Sequence, residues 1–208
     1  MTRIGRLALC SILAMLSGCM TYNEEMLRKV PEVKATTKAV VIETKVGDFI
    51  QRLNGEGTNA SPFSNTTVAG EVTKLIMDRW ESRGIVADYG KAGELDGTPD
   101  YTLILSGTRD EEGSIGLAVL SGLTLMLLPT SSTLTYDLNV ELIDNKTSRH
   151  YEAKAKNAVT TVMEILFLPA LPFSWIGGKH AVDDIADHLY HELHEQGAFT
   201  QGAVAAKP

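Results

Sequence analysis

Residues 133–143 read TLTYDLNVELI, and this stretch decides the fold. Its even-numbered positions, 134 to 142, are all apolar, and its odd-numbered positions from 133 to 141 are all polar. Because successive side chains of a strand point to opposite faces, this alternation predicts a β-strand with one buried face and one solvated face. Such a strand is typical of an antiparallel sheet that is covered on one side only.

The flanking sequence supplies partners for this strand. DNKT at 144–147 provides turn residues, and the alternation resumes over 149–159, so the two stretches predict a β-hairpin. The other strands are predicted at 39–43 with an extension over 46–50, at 85–89 and at 100–108. Loops rich in glycine and small polar residues are predicted at 51–61 and 90–99.

Two stretches change to the period of a helix. Apolar residues share one face over 67–83, and Gly84 stands where a glycine commonly ends a helix. A second apolar stripe runs over 180–196 and is followed by Gly197. The predicted fold class is therefore α+β: a single, mostly antiparallel sheet of about five strands with two helices on one face.

Composition excludes several classes of protein. The chain has 208 residues, is 44% hydrophobic and carries a formal net charge of −7. A general nucleic-acid binder needs a basic surface, so this charge argues against nucleic acid as a partner. No uncharged run of membrane-spanning length follows the first 20 residues, which argues against a polytopic membrane protein.

The amino terminus has the order of an export signal. Arg3 and Arg6 precede an apolar run over 7–16, and Leu16-Ser17-Gly18-Cys19 follows. This segment resembles the lipobox of bacterial lipoproteins. The resemblance implies cleavage before Cys19, a diacylglyceryl group on its sulfur and an acyl chain such as palmitate on the new amino terminus. The alternative is an ordinary secretory signal that happens to end in cysteine.

The lipoprotein interpretation fixes the expected organisation and location. Cys10 leaves with the signal and Cys19 is consumed by lipid, so no cysteine remains for a disulfide or a metal site. Met20 stands where an aspartate would resemble an inner-membrane retention signal, which favours the periplasmic face of the outer membrane. The expected segments are a signal peptide (1–18), a lipidated tether (19–37), an α+β periplasmic domain (38–196) and a flexible tail (197–208).

The domain is also similar in outline to small envelope lipoproteins that assist transporters or secretion systems. The stretches EVTKLIMDRWESRGIVADY at 71–89 and PDYTLILSG at 99–107 carry this similarity. It is a likeness of fold pattern without a diagnostic motif. It implies a partner protein in the cell envelope.

Two apolar connections do not suit solvated loops. Residues 115–128 (IGLAVLSGLTLMLL) carry no charge, and residues 162–176 (VMEILFLPALPFSWI) carry one. If three successive strands run antiparallel, both connections emerge at the same end of the domain. They then form either a contact surface for lipid or a partner protein, or a buried part of the core. The candidate contact residues are Leu123, Leu125, Leu127, Phe173 and Trp175.

Candidate chemistry is sparse. His188, His191 and His194 follow at intervals of three, a spacing that cannot bring all three to one ion, and Asp184 with His188 is the weak alternative for a metal or small ligand. Asp110, Glu111 and Glu112 are expected to keep a loop in water. No nucleophile elbow, phosphate-binding loop or dinucleotide fingerprint occurs. We therefore expect a non-enzymatic protein with no cofactor beyond the covalent lipid on Cys19.

Overall fold

The computed structural model describes residues 18–31, 39–57, 64–124, 128–164 and 174–199, with the backbone alone for 18–20, 163–164 and 174–180. Within these residues the chain forms seven strands and three helices. The strands are β1 Gly18–Asn23, β2 Val40–Leu53, β3 Glu56–Gly57, β4 Val86–Gly90, β5 Tyr101–Gly113, β6 Thr130–Asp144 and β7 His150–Glu164. The helices are α1 Asn65–Ser82, α2 Ile115–Leu123 and α3 Ser174–Glu195.

All seven strands belong to one sheet. Its order is β1-β7-β6-β5-β2-β3, and β4 also pairs with β2. The β6–β7 hairpin forms as predicted, with Leu138 opposite Ala155. Leu138, Val140 and Leu142 of β6 are buried, and the residues between them are not, so the alternation in the deciding stretch marks the two faces of the sheet.

The sheet has seven strands where about five were predicted, and it is mixed. β2 runs parallel to both β4 and β5, whereas the other pairs are antiparallel. The parallel pairing of β2 with β4 follows from α1, because a helical crossover returns the chain to the same end of the sheet before the next strand begins. The segment 91–100 then brings the chain to the other side of β2, where β5 starts opposite Ile42. The α+β class and the dominance of antiparallel pairs agree with the prediction.

Two helices, α1 and α3, cover one face of the sheet, as predicted. Ile76 and Trp80 of α1 and Ile185 and Leu189 of α3 are buried in the same core as the inward residues of the strands. The Trp80 indole donates to the carbonyl of Ala186 at 2.8 Å and so joins the two helices. α3 begins at Ser174, six residues before the predicted start, and α2 is a third helix that stands apart from this layer.

Both ends of the described domain extend past the predicted boundaries. Gly18–Asn23 pairs with β7, so the first residues of the expected tether form an edge strand. Ala198 and Phe199 are buried, so the expected flexible tail begins inside the core. Backbone pairing supplies the contact at the first end, and one aromatic ring supplies it at the second. A count of apolar residues in the sequence detects neither contact.

Candidate functional site: an apolar end of the sheet

Helix α2 begins directly after β5 without an intervening loop. The Ser114 hydroxyl caps it by accepting from the backbone N–H of Leu117 at 3.2 Å. At the other end, the Thr124 hydroxyl donates to the carbonyl of Leu120 at 2.8 Å. These local bonds satisfy backbone groups at both ends of this nine-residue helix.

The side chains of α2 are exposed despite being apolar. Five of them are 47% to 76% exposed, namely Ile115, Leu117, Val119, Leu120 and Leu123, and Ser121 is the one buried residue. At 100° per residue the exposed positions cover about 200° of the helix circumference. A helix that is apolar on nearly all sides is normally enclosed by protein or lipid. Residues 115–123 therefore lack the burial that the core interpretation requires.

The ends of four strands meet beside α2. Thr130 at the start of β6 lies opposite Met163 of β7, and Met163 lies opposite Cys19 of β1. Gly113 at the end of β5 pairs with Ser132. At about 4.8 Å between strands, Cys19 lies about 14 Å across the sheet from β5. The predicted lipidation residue and the exposed helix thus share one end of the domain, which we call the apolar end: Cys19, α2 and Leu128.

A hairpin tip holds the base of α2 in place. Asn54 accepts from the N–H of Gly113 at 2.9 Å, and Asp110 accepts from the N–H of Gly55 at 3.1 Å. Asn54 has a positive φ of 53°, which a tight turn requires and asparagine tolerates. The β2–β3 connection therefore ties the adjacent strand to the point where β5 becomes α2.

The rim behind the apolar end carries more acids than bases. Asp110, Glu111 and Glu112 lie within β5, which corrects their predicted placement in a loop. Arg109 lies 3.8 Å from Glu111, and Ser132 donates to Glu111 at 3.2 Å. The strand can include this acidic run because the three side chains stay at least partly accessible to water.

Of the five predicted contact residues, the structure describes the side chain of one. Leu123 is 76% exposed on α2. Leu125, Leu127 and Phe173 lie outside the described residues, and Trp175 lies in the first turn of α3, where the backbone alone is described. The predicted set omitted Ile115, Leu117, Val119 and Leu120, although the charge-free run 115–128 was the signal that included them.

The weak alternative on α3 receives no support from the geometry. Asp184 accepts from the side chain of Asn23 at 2.6 Å, and Nε2 of His188 lies 3.2 Å from Glu192. His191 pairs with Glu195, and the ring of His194 stacks on Tyr190. Among the described residues, no three His, Cys, Asp or Glu side chains are grouped as a metal site requires.

A polar trough of about 920 Å³ lies between α1, β2 and the segment after β4. Its charged lining residues are of both signs: Lys45, Glu71, Lys74, Lys91 and Glu94. Burial, followed by the hydrogen bond to Asp78, raises the pKa of the Tyr89 hydroxyl in its wall. Since its charges nearly balance, the trough does not define a class of ligand.

None of the described helices combines the length and apolar character needed to cross a bilayer. Among the solved structures similar to this chain are three from two bacteria. A Xanthomonas campestris protein of the family DUF330 shares 11% identity over 82% of this chain and 94% of its own, with a TM-score of 0.45. Two PelC dodecamer structures from Paraburkholderia phytofirmans show 14% and 12% identity and TM-scores of 0.29 and 0.32, over 80% and 82% of this chain and 97% and 96% of theirs.

No family model and no curated protein matches the chain. Identities and TM-scores this low say nothing about what the chain binds or does.

Proposed function

We propose that the protein is a non-enzymatic binding or assembly module of the bacterial envelope. In this proposal Cys19 carries a diacylglyceryl lipid and an amino-terminal acyl chain such as palmitate, and holds the domain on the periplasmic face of the outer membrane. The apolar end is its contact surface for an envelope partner or for lipid.

One observation supports this proposal above the others: α2 exposes large apolar side chains over about 200° of its circumference, at the end of the sheet where Cys19 lies. Exposed apolar surface costs free energy in water, at about 25 cal/mol per Å². Contiguous exposed patches on soluble proteins commonly mark contact sites. A lipid on Cys19 would keep this particular surface close to the membrane.

Metabolic labelling tests the anchor. Cells that express the full chain are grown with labelled palmitate, and the label is expected on the wild-type protein and absent from Cys19→Ser. Loss of label follows because the sulfur of Cys19 is the acceptor on which all further acylation depends. Equal labelling of both proteins, or of neither, contradicts the anchor.

Photocrosslinking tests the contact surface in the same cells. A photoreactive amino acid at Leu123 is expected to give adducts, because this side chain is 76% exposed on the apolar end. The matched control carries the same group at Asp96, an exposed position in the segment between β4 and β5, at the opposite end of the sheet. Equal yields at the two positions contradict a contact role for the apolar end.

A further inference from the structure

We infer that the apolar end contacts the bilayer itself. In this arrangement α2 inserts shallowly, from the aqueous side, into the leaflet to which Cys19 is attached. This inference rests on the proposed function, because it assumes the lipid on Cys19. It goes further by naming one contact, the acyl and glycerol region of a zwitterionic membrane, and by fixing how the domain stands on it.

The length of α2 suits shallow insertion. Nine residues at 1.5 Å each give a helix of about 13 Å, less than half of a hydrocarbon core of about 30 Å. Its two end residues, Ile115 and Leu123, are also the most exposed of its large apolar side chains, at 62% and 76%. The helix is therefore too short to span the membrane, but its whole length can lie within one leaflet.

The position of Cys19 supports lipid over a protein partner. A lipid on this residue would hold the end of β1 at the membrane surface, and only two strands, β7 and β6, separate β1 from the strand that leads into α2. Because β1 is hydrogen-bonded into the sheet, a lipid on Cys19 would hold the strand that leads into α2 about 14 Å from the anchor. Anchoring at Cys19 and contact at α2 are thus geometrically linked.

The charges around the apolar end point to zwitterionic lipid. Its rim carries Glu56, Asp110, Glu111 and Glu112 against Arg52 and Arg109. An excess of acids is repelled by anionic headgroups, so attraction to phosphatidylglycerol cannot drive the contact. Insertion must come from apolar burial, which depends little on salt.

The test uses the full lipidated protein in vesicles of phosphatidylcholine. If lipid consumes Cys19, Leu120→Cys offers the one thiol of the processed chain for an environment-sensitive dye, and Asp96→Cys carries the same dye at the opposite end. Leu120 is 49% exposed, so the substitution spares the core. We expect a blue-shifted emission at 120 and several-fold stronger quenching by spin-labelled phosphatidylcholine than at 96.

Each outcome separates this inference from the proposed function. Equal emission and quenching at 120 and 96 overturns insertion, and so does quenching that appears only when phosphatidylglycerol is added. If the dye at 120 reports water while the crosslinker at Leu123 captures a protein, the binding module stands and the lipid contact fails. A second label at Val119, which is 56% exposed, guards against a local effect of the dye at 120.

Discussion

At the scale of single residues, Asn157 shows how a buried polar group can join three parts of the fold. It is fully buried on β7. Its side-chain oxygen accepts from the N–H of Met26 at 3.2 Å, and its amide donates to the carbonyl of Ala181 at 3.2 Å. One side chain therefore connects the segment after β1, strand β7 and helix α3.

Asn157→Ala is expected to destabilise the fold by about 1–3 kcal/mol, because it leaves the buried N–H of Ala158 and the buried carbonyl of Ala181 without their partner. Urea unfolding measures the loss. Asn139→Ala is the matched control: Asn139 faces away from the core on β6, and its side-chain oxygen makes no hydrogen bond within the described residues. Similar losses in the two variants would contradict the role of Asn157.

At the scale of elements, the contact between α1 and α3 depends on an arginine as well as on apolar packing. Arg79 donates to both carboxylate oxygens of Asp187, at 3.0 and 2.7 Å, and lies 3.6 Å from Asp183. Less than a quarter of each side chain is exposed. A two-pronged pair of this kind fixes the angle between helices as well as their distance.

Arg79→Lys is expected to reduce the free energy of unfolding by about 1–3 kcal/mol, because lysine keeps the charge but cannot make both bonds. Thermal unfolding of this variant and of Lys29→Ala makes the comparison. Lys29 pairs with Glu25 at 3.4 Å on the open surface, so its loss should change little. A harmless Arg79→Lys would show that Trp80 and its neighbours hold the helices without the arginine.

The elements that sequence predicted are those with a strong apolar period. The strands β6 and β7, their hairpin, and the helices α1 and α3 all show it, and the short strand β4 was placed to within one residue. β1 was missed because MTYN is too short to show a period and runs into a polar segment. Its pairing with β7 is made by the backbone ladder and one contact between the Thr21 and Thr161 hydroxyls at 3.3 Å. The parallel pairing of β2 with β5 was also out of reach, because two partners far apart in sequence leave no local pattern.

The apolar end was predicted in part. The strand order placed both apolar connections at one end of the sheet, and the ends of β5 and β7 lie there. Whether these connections form core or a contact surface could be decided only from the exposure of their side chains. That exposure depends on how the rest of the chain packs around them. That Cys19 lies at the same end could be seen only from the register of β1 against β7.

At the scale of the whole molecule, the last described residue completes the core. The ring of Phe199 lies 5.3 Å from Tyr101, 5.3 Å from Tyr190 and 5.8 Å from Trp80, measured between ring centroids. Its backbone N–H donates to the Tyr101 hydroxyl at 3.1 Å. Its φ of 62° is unusual for a bulky residue, and the aromatic cluster offsets that cost.

Phe199→Ala is expected to cost about 3–5 kcal/mol, because it leaves a cavity among three rings. Guanidinium unfolding measures the loss. The matched control removes residues 201–208 and keeps Phe199, and it should retain the stability of the full chain. If this truncation is as harmful as Phe199→Ala, the stabilising contacts extend beyond the aromatic cluster.

The pairing of β1 with β7 determines how late in synthesis the fold can be completed. Residues 18–23 find their partners only at 159–164, and the aromatic cluster waits for residue 199. A chain that emerges from its amino terminus therefore remains without an edge strand and a finished core until nearly all of the described sequence has appeared. During that interval it exposes unpaired strand edges and core side chains that the folded domain covers, and such surfaces promote the aggregation of incomplete chains.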